Sequence, residues 1–341
     1  MRKKVLSLLL AAALVFGLTG CVSISNVDED GNRIYRVAMI CDSSISDGGW
    51  GMSCYNAMVD AAEQFGWETE VTDSIDQSAY YETIMAYCSL NFDLIFAPGN
   101  QYTTAVLQAA EDYPDVCFAL LNGTEDTPAQ AVNGNVVCLL PDATQVGWIA
   151  GALAGLMSQT GTIAFIGGME LDTTLAKYEG FTEAATYVAA QEGREITVLD
   201  PVYAGSFSAT DRGIEFAMAM IDQGADVFFG DASSVDSGAR QAIDEANNAN
   251  GEVTIYDIAQ PSDLLGQNEC IICSQVTDNS NLVGQCMQAI EDGTFTAEVI
   301  YGTMQNGALY AGALSDLVPA DVQEQYQIYL QQMVDGTFMQ E

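Results

Sequence analysis

Gly161-Thr162-Ile163-Ala164-Phe165-Ile166-Gly167-Gly168-Met169 carries the pattern on which the fold turns. Its middle is an unbroken apolar run, too short for a helix. It lacks the in–out alternation of a strand with one wet face. A run of this kind is a strand covered on both sides. The paired glycines stop it, and a helical pattern follows over 174–191. Neighbouring parallel strands need a crossover, commonly a helix. Strand, glycine turn and helix are therefore the repeating unit of an α/β protein.

The same unit recurs in both directions. Upstream, strands are expected near 36–41, 67–73, 94–97, 116–121 and 136–140, with helices over 52–65, 78–90, 102–113 and 142–158. Downstream, strands near 196–199, 226–229, 253–256 and 270–276 alternate with helices over 210–223, 235–248 and 280–292, and 297–311 reads as a strand region. These are too many strands for one small sheet. Pro141 interrupts the pattern just after a strand, and a second break falls near 274–279. Periodicity alone also permits one large doubly wound sheet. Gly147, Gly151 and Gly155 recur every four residues on one helix face. Packing of that face against a sheet is the better reading than a membrane dimer, since the apolar stretch is short for a bilayer.

The start of the chain addresses it outward. Arg2, Lys3 and Lys4 precede an apolar run from Val5 to Leu18, and Leu18-Thr19-Gly20-Cys21 follows. That is the build of an export signal. A cysteine in this place resembles the bacterial lipobox, which implies a signal peptide over 1–20, a diacylated and N-acylated (palmitate-type) Cys21, a tether over 21–33, and anchorage to the outer face of the cell membrane.

Composition excludes several classes. The chain has 9 Lys+Arg against 47 Asp+Glu, a formal net charge of −38, and three of the nine cations lie in the leader. Such a body repels nucleic acid and disfavours strongly anionic ligands; a neutral polar or cationic one suits it better. There is no histidine, so Ser-His-Asp, Cys-His and His-ligated zinc chemistry are excluded. Beyond Cys21, the remaining cysteines permit disulfides outside the cell. Most sit in apolar runs, where cysteine acts as a small core residue. Cys270 and Cys273 share a redox-motif spacing but lie in a strand-like run. No metal site and no cofactor are expected.

Ligands of open α/β sheets bind beyond the carboxyl ends of the strands. The residues there are Asp42 with the 43–51 loop, Pro98-Gly99-Asn100, Asn122-Gly123, Gly167-Gly168-Met169, the 203–207 segment, Gly230-Asp231-Ala232, Asp257 and the 274–279 segment. Gly, Asn, Asp and aromatics make a cleft for a polar ligand; they also serve as ordinary caps and turns. Asp47-Gly48-Gly49-Trp50-Gly51 lacks the Gly-Lys-Ser/Thr of a phosphate loop. Trp50 reads as a stacking platform or as a cap on the helix core. Asp231, Asp236 and Asp257 are the acids available to a glycosidase-like site, but no signature pairs them, and an enzyme is not expected.

Alternating units with two interlobe breaks resemble the type I periplasmic binding-protein fold: two Rossmann-like α/β lobes with parallel sheets joined by a hinge. The implied lobes are 34–140 plus 277–316 and 141–276 plus 317–341. In order along the chain, Asp47–Met52, Gly161–Met169, Tyr178-Glu179-Gly180-Phe181, Gly205-Ser206-Phe207, Gln223–Val227, Asp257 and Asp292–Phe295 are similar to the basic membrane protein family of substrate-binding lipoproteins. The resemblance implies a receptor that delivers a small polar solute, with a nucleoside as leading candidate, to an ABC permease. It implies a ligand site of Asp42, Asp47, Trp50, Asn122, Phe207, Asp231, Asp257 and Thr277. Trp50 and Phe207 would stack on the two faces of a base, and Asp257 would bind ribose hydroxyls. Three positions depart from the family's pattern. Gly51 replaces an asparagine, Asn122 an aspartate that reads the base, and Thr277 a lysine. A sugar, a flavin-like ring, a cationic metabolite, or a sensor role in place of import are the alternatives.

Overall fold

The computed structural model describes residue 27, residue 31, residues 33–46 and residues 50–340 of the chain. The expected export leader with Cys21, most of the expected tether and the candidate Asp47 lie outside the described residues.

The chain builds two sheets in four passes. The first pass gives β1 (Arg36–Ile40), α1 (Trp50–Phe65), β2 (Glu68–Thr72), α2 (Tyr80–Ser89), β3 (Leu94–Ala97), α3 (Thr103–Asp112), β4 (Cys117–Leu121), the short α4 (Thr127–Gln130) and β5 (Val136–Pro141). The second gives α5 (Ala143–Met157), β6 (Thr162–Gly167), α6 (Asp172–Gln191), β7 (Thr197–Val198), β8 (Val202–Tyr203), α7 (Thr210–Ile221), β9 (Val227–Asp231), α8 (Ser234–Asn250), β10 (Tyr256–Ala259) and β11 (Ile271–Thr277). The third returns with α9 (Asn279–Glu291) and β12 (Val299–Gly302); the fourth ends with β13 (Leu309–Ala311) and α10 (Ala320–Val334).

One sheet has the order β12-β5-β4-β3-β1-β2, with every pair parallel. The other runs β13-β11-β10-β9-β6-β7, with β8 also on β6, and only the β11–β13 pair is antiparallel. The central strands of both sheets are covered on both faces, as their apolar runs require. Successive residues divide between the two covers. In β1, Val37 and Met39 face one core while Ala38 and Ile40 face another. In β6, Ile163 and Phe165 face one core while Ala164 and Ile166 face another.

Each lobe is pinned by an aspartate just before a strand. Asp93 accepts the backbone N–H of Arg36 (2.9 Å). Asp226 accepts the hydroxyl of Ser158 (2.6 Å) and the backbone N–H groups of Gln159 and Thr160 (2.7 and 2.8 Å). Asp226 thus closes the turn between α5 and β6.

The glycine stripe packs on helix α6 and not on a sheet as expected, because only side-chain-free positions let two helix backbones approach this closely. A Cβ on Gly147 or Gly151 would overlap the backbone of Lys177 or Phe181 on α6, and Gly180 meets Thr144 in return. No helix among the described residues is long and apolar enough to cross a membrane.

Two further expectations change. The strand region 297–311 is two strands in different sheets: β12 pairs β5, whereas β13 pairs β11. The third crossing therefore falls between Gly302 and Leu309, not after 316. Met304 is already buried in the second lobe's core. The strand expected at 253–256 is displaced to Tyr256–Ala259.

Candidate functional site

β5, β11 and β12 each leave their sheet at the carboxyl end and pass directly into the other lobe. The carboxyl rims of both sheets therefore border the interlobe junction. The junction is tied: Asp142 N–H donates to Gly302 O (2.8 Å), Asp278 N–H to Ala308 O (2.7 Å) and Met304 N–H to Gln145 Oε1 (2.8 Å).

On the first rim, Asp42 is exposed and follows β1. Its Oδ2 accepts from Tyr80 OH (3.1 Å) and Gln101 Nε2 (3.0 Å), and its N–H donates to Tyr102 OH (2.7 Å). The carboxylate and burial push the Tyr80 hydroxyl up to about 12, with burial the larger cause. Tyr80 thus stays a donor and holds Asp42 as an acceptor. Trp50 opens α1. Its Nε1–H donates to Pro98 O (2.8 Å), while its ring packs, partly buried, on the first lobe's core. Trp50 thus caps the core beside α1, with part of its ring left open. Asn122 follows β4 in left-handed backbone, φ 58°, a conformation that Asn tolerates better than most residues. Its N–H donates to Leu139 O (2.9 Å).

On the second rim, Phe207 is 38% exposed and its ring lies on Gly168, where a Cβ would overlap it. Gly168 thus gives the ring its seat, and a side chain there would displace it. Asp231 ends β9 and accepts from three side chains. Thr174 Oγ1 donates to its Oδ2 (2.6 Å), and Lys177 Nζ and Gln260 Nε2 donate to its Oδ1 (2.8 and 3.2 Å). Thr277 ends β11 beside the buried Gln275, with its hydroxyl 3.5 Å from Gln275 Oε1.

Asp257 is corrected. It lies inside β10 and not beyond it, 4% exposed, with Oδ2 accepting from Arg240 Nε at 2.7 Å. Its neighbour Ile258 belongs to one core, so Asp257 points to the opposite cover, where α8 carries Arg240. A carboxylate held there is a structural ion pair and does not reach ribose. Gln260 occupies the rim position after β10. The rim also includes Thr174, Lys177 and Gln260, which the sequence reading did not single out. The break of the apolar run at Gln260-Pro261 was the available signal for the last.

Asp236 completes the buried group. Two acids and one cation share the space, so full ionisation would leave a net negative charge in the core. Burial pushes the Asp236 carboxyl up to about 7; Arg240 opposes the shift and Asp257 adds to it. Protonated Asp236 leaves Arg240–Asp257 as a neutral pair. The folded form then keeps a proton that the unfolded chain loses near pH 4. From about pH 4 to about pH 7 this site therefore lowers stability as pH rises, and above that range its contribution is flat. The expected result is that Asp236→Asn gains stability relative to the parent chain across this window. Denaturant midpoints at pH 4.5, 6 and 7.5 measure it; a constant difference would exclude the protonated carboxyl.

Burial keeps the six described thiols on which it acts most strongly in their protonated form. It pushes Cys138 up to about 11 and Cys88, Cys117 and Cys273 up to about 12, while Cys270 and Cys286 are raised further. These are inert core residues, as their apolar runs imply. No group of acids or thiols among the described residues is arranged to hold a metal ion.

Residues 34–335 match the family model described as Bmp, ABC transporter substrate-binding protein PnrA-like. The chain is 22% identical to the "CD4+ T-cell-stimulating antigen" of Listeria innocua over 97% of its own length and 95% of the relative's. It is 23% identical to the "Putative ABC transporter glucose-binding protein TsgA13" of Haloferax volcanii, covering 85% of this chain and 70% of that one. In structure it is similar to an ABC transporter solute-binding protein of Aeropyrum pernix, with TM-score 0.74 and 18% identity over 90% of this chain and 94% of that one. The shared architecture is that of the type I periplasmic solute-binding proteins.

Proposed function

Because this chain belongs to the Bmp family of PnrA-like ABC transporter substrate-binding proteins, we propose that it captures a nucleoside between its two lobes, moored to the outer face of the cell membrane by lipid on Cys21. The observation that carries this reading is the pairing of an aromatic with a fixed polar cluster on each rim. Trp50 stands with Asp42 on the first lobe, and Phe207 with Asp231 on the second. Flat rings accept the faces of a base, and oriented acceptors and amides take hydroxyls and ring nitrogens. Asn122 offers a donor and an acceptor to a base edge. Closure of the lobes would bury the solute and offer a changed surface to the permease.

A sugar is the second reading. With Asp257 locked on Arg240, the ribose contact implied by the resemblance is missing from its expected place. The Haloferax volcanii relative is named as a putative glucose-binding protein.

The test is thermal stability with inosine, adenosine, guanosine and D-glucose, since a ligand of the folded state alone raises it. A shift with a nucleoside supports the first reading. A shift with glucose only rejects it. Phe207→Ala is expected to weaken a nucleoside about tenfold or more, the scale of one lost base stack of about 1–3 kcal/mol. Unchanged affinity measured by calorimetry removes the ring from the site. Phe207 is the cleaner position, because Trp50 also carries core packing.

A further inference from the structure

Lys177 is the only lysine after residue 4. It rises from α6, not from a strand end, and its ammonium reaches the carboxyl rim of the second sheet. Nζ donates to Asp231 Oδ1 (2.8 Å) and to Gln260 Oε1 (2.9 Å). Its side chain is 18% exposed, neither sealed in the core nor loose on the surface. An ammonium has three N–H donors, and these two acceptors engage two of them. Asp231 is held in turn by Thr174 and Gln260. The ammonium is thus fixed on two acceptors, one of which is itself fixed by two further donors.

We propose that Lys177 is a ligand-contacting residue of the second lobe, giving its third N–H to an uncharged oxygen of the solute, a hydroxyl or a carbonyl. The proposal rests on the solute-capture reading above. Two observations carry it. Asp231 neutralises the ammonium at contact distance, and the chain around it is strongly acidic, so no net positive field remains to favour an anion. The acceptors hold the donor in one place, which removes the ordering cost that a free lysine would bring to binding.

The test uses the mature lipoprotein in mild detergent; the leader that carries Lys3 and Lys4 is removed on the reading above, so Lys177 is its one lysine. Lysine labelled with 13C at the ε position then gives a single nuclear magnetic resonance signal. Inosine, adenosine, D-ribose and D-glucose are the probes, with binding followed in parallel by calorimetry. The expected result is that a bound probe shifts the signal. Lys177→Met and the charge-balanced Lys177→Met/Asp231→Asn are both expected to bind that probe at least tenfold more weakly, with unliganded melting temperatures close to the parent's. A probe that binds while the signal stays still, with both variants within twofold of the parent, overturns the role of Lys177 and leaves solute capture standing. Binding of none of the probes overturns both.

Discussion

Arg240→Met is expected to destabilise the folded chain by about 3–5 kcal/mol, the cost of removing one partner from a buried ion pair. Arg240 is 9% exposed and Asp257 4% exposed, and the bond between them is 2.7 Å long. Methionine fills most of the volume but leaves Asp257 charged and alone beneath α8. Asp236 then loses its nearest cation as well. The chain can respond only by taking up protons, so the loss should be smaller at acid pH and larger at neutral pH. Denaturant midpoints at unchanged slope measure the effect. The double variant Arg240→Met/Asp257→Asn should recover much of the loss, because it removes the stranded charge. A single-variant cost below about 1 kcal/mol would mean that water reaches the pair, as at a surface salt bridge.

The second large effect is steric. Gly151→Ala is expected to cost about 3 kcal/mol or more, the upper part of the range for overpacking. The added methyl would overlap the carbonyl oxygen of Phe181 and come within 2.9 Å of its carbonyl carbon and Cα. These are backbone atoms of a twenty-residue helix and cannot rotate away. The helices must part, and Phe181, fully buried beside Phe165 and Phe229, loses its seat. A melting temperature within a degree or two of the parent's would show that α5 and α6 slide apart freely. Gly213 and Gly238, where α7 and α8 meet, obey the same rule, because each faces a carbonyl oxygen of the opposite helix.

Both sheets are legible in the sequence because their central strands, covered on both faces, are short and almost wholly apolar. The errors have local causes. Val253-Thr254-Ile255 looks like a strand by residue type. The side chain of Asn247 takes the N–H groups of Thr254 and Ile255 (3.0 Å each) and donates to Ile255 O (2.9 Å). Those backbone groups are spent before a ladder can form, so β10 starts later and Asp257 turns from rim to core. β13 has three residues, too few for any period to show. The rim itself is legible only where a residue follows a strand, as Asp42, Asn122 and Asp231 do. Lys177 and Thr174 approach from a helix, and Tyr80 and Tyr102 from beneath Asp42. Spacing along the chain says nothing about such arrivals.

The three interlobe crossings also govern how the molecule can be made. The edge strand that completes the first sheet emerges from the ribosome only after β6 to β11, so the lobe begun first is finished late. Until then β5 has an open flank. A chain stopped at residue 278 would expose that flank to pairing with a second nascent copy. Conversely, a protease that nicks one linker severs nothing, since two covalent bridges still join the halves.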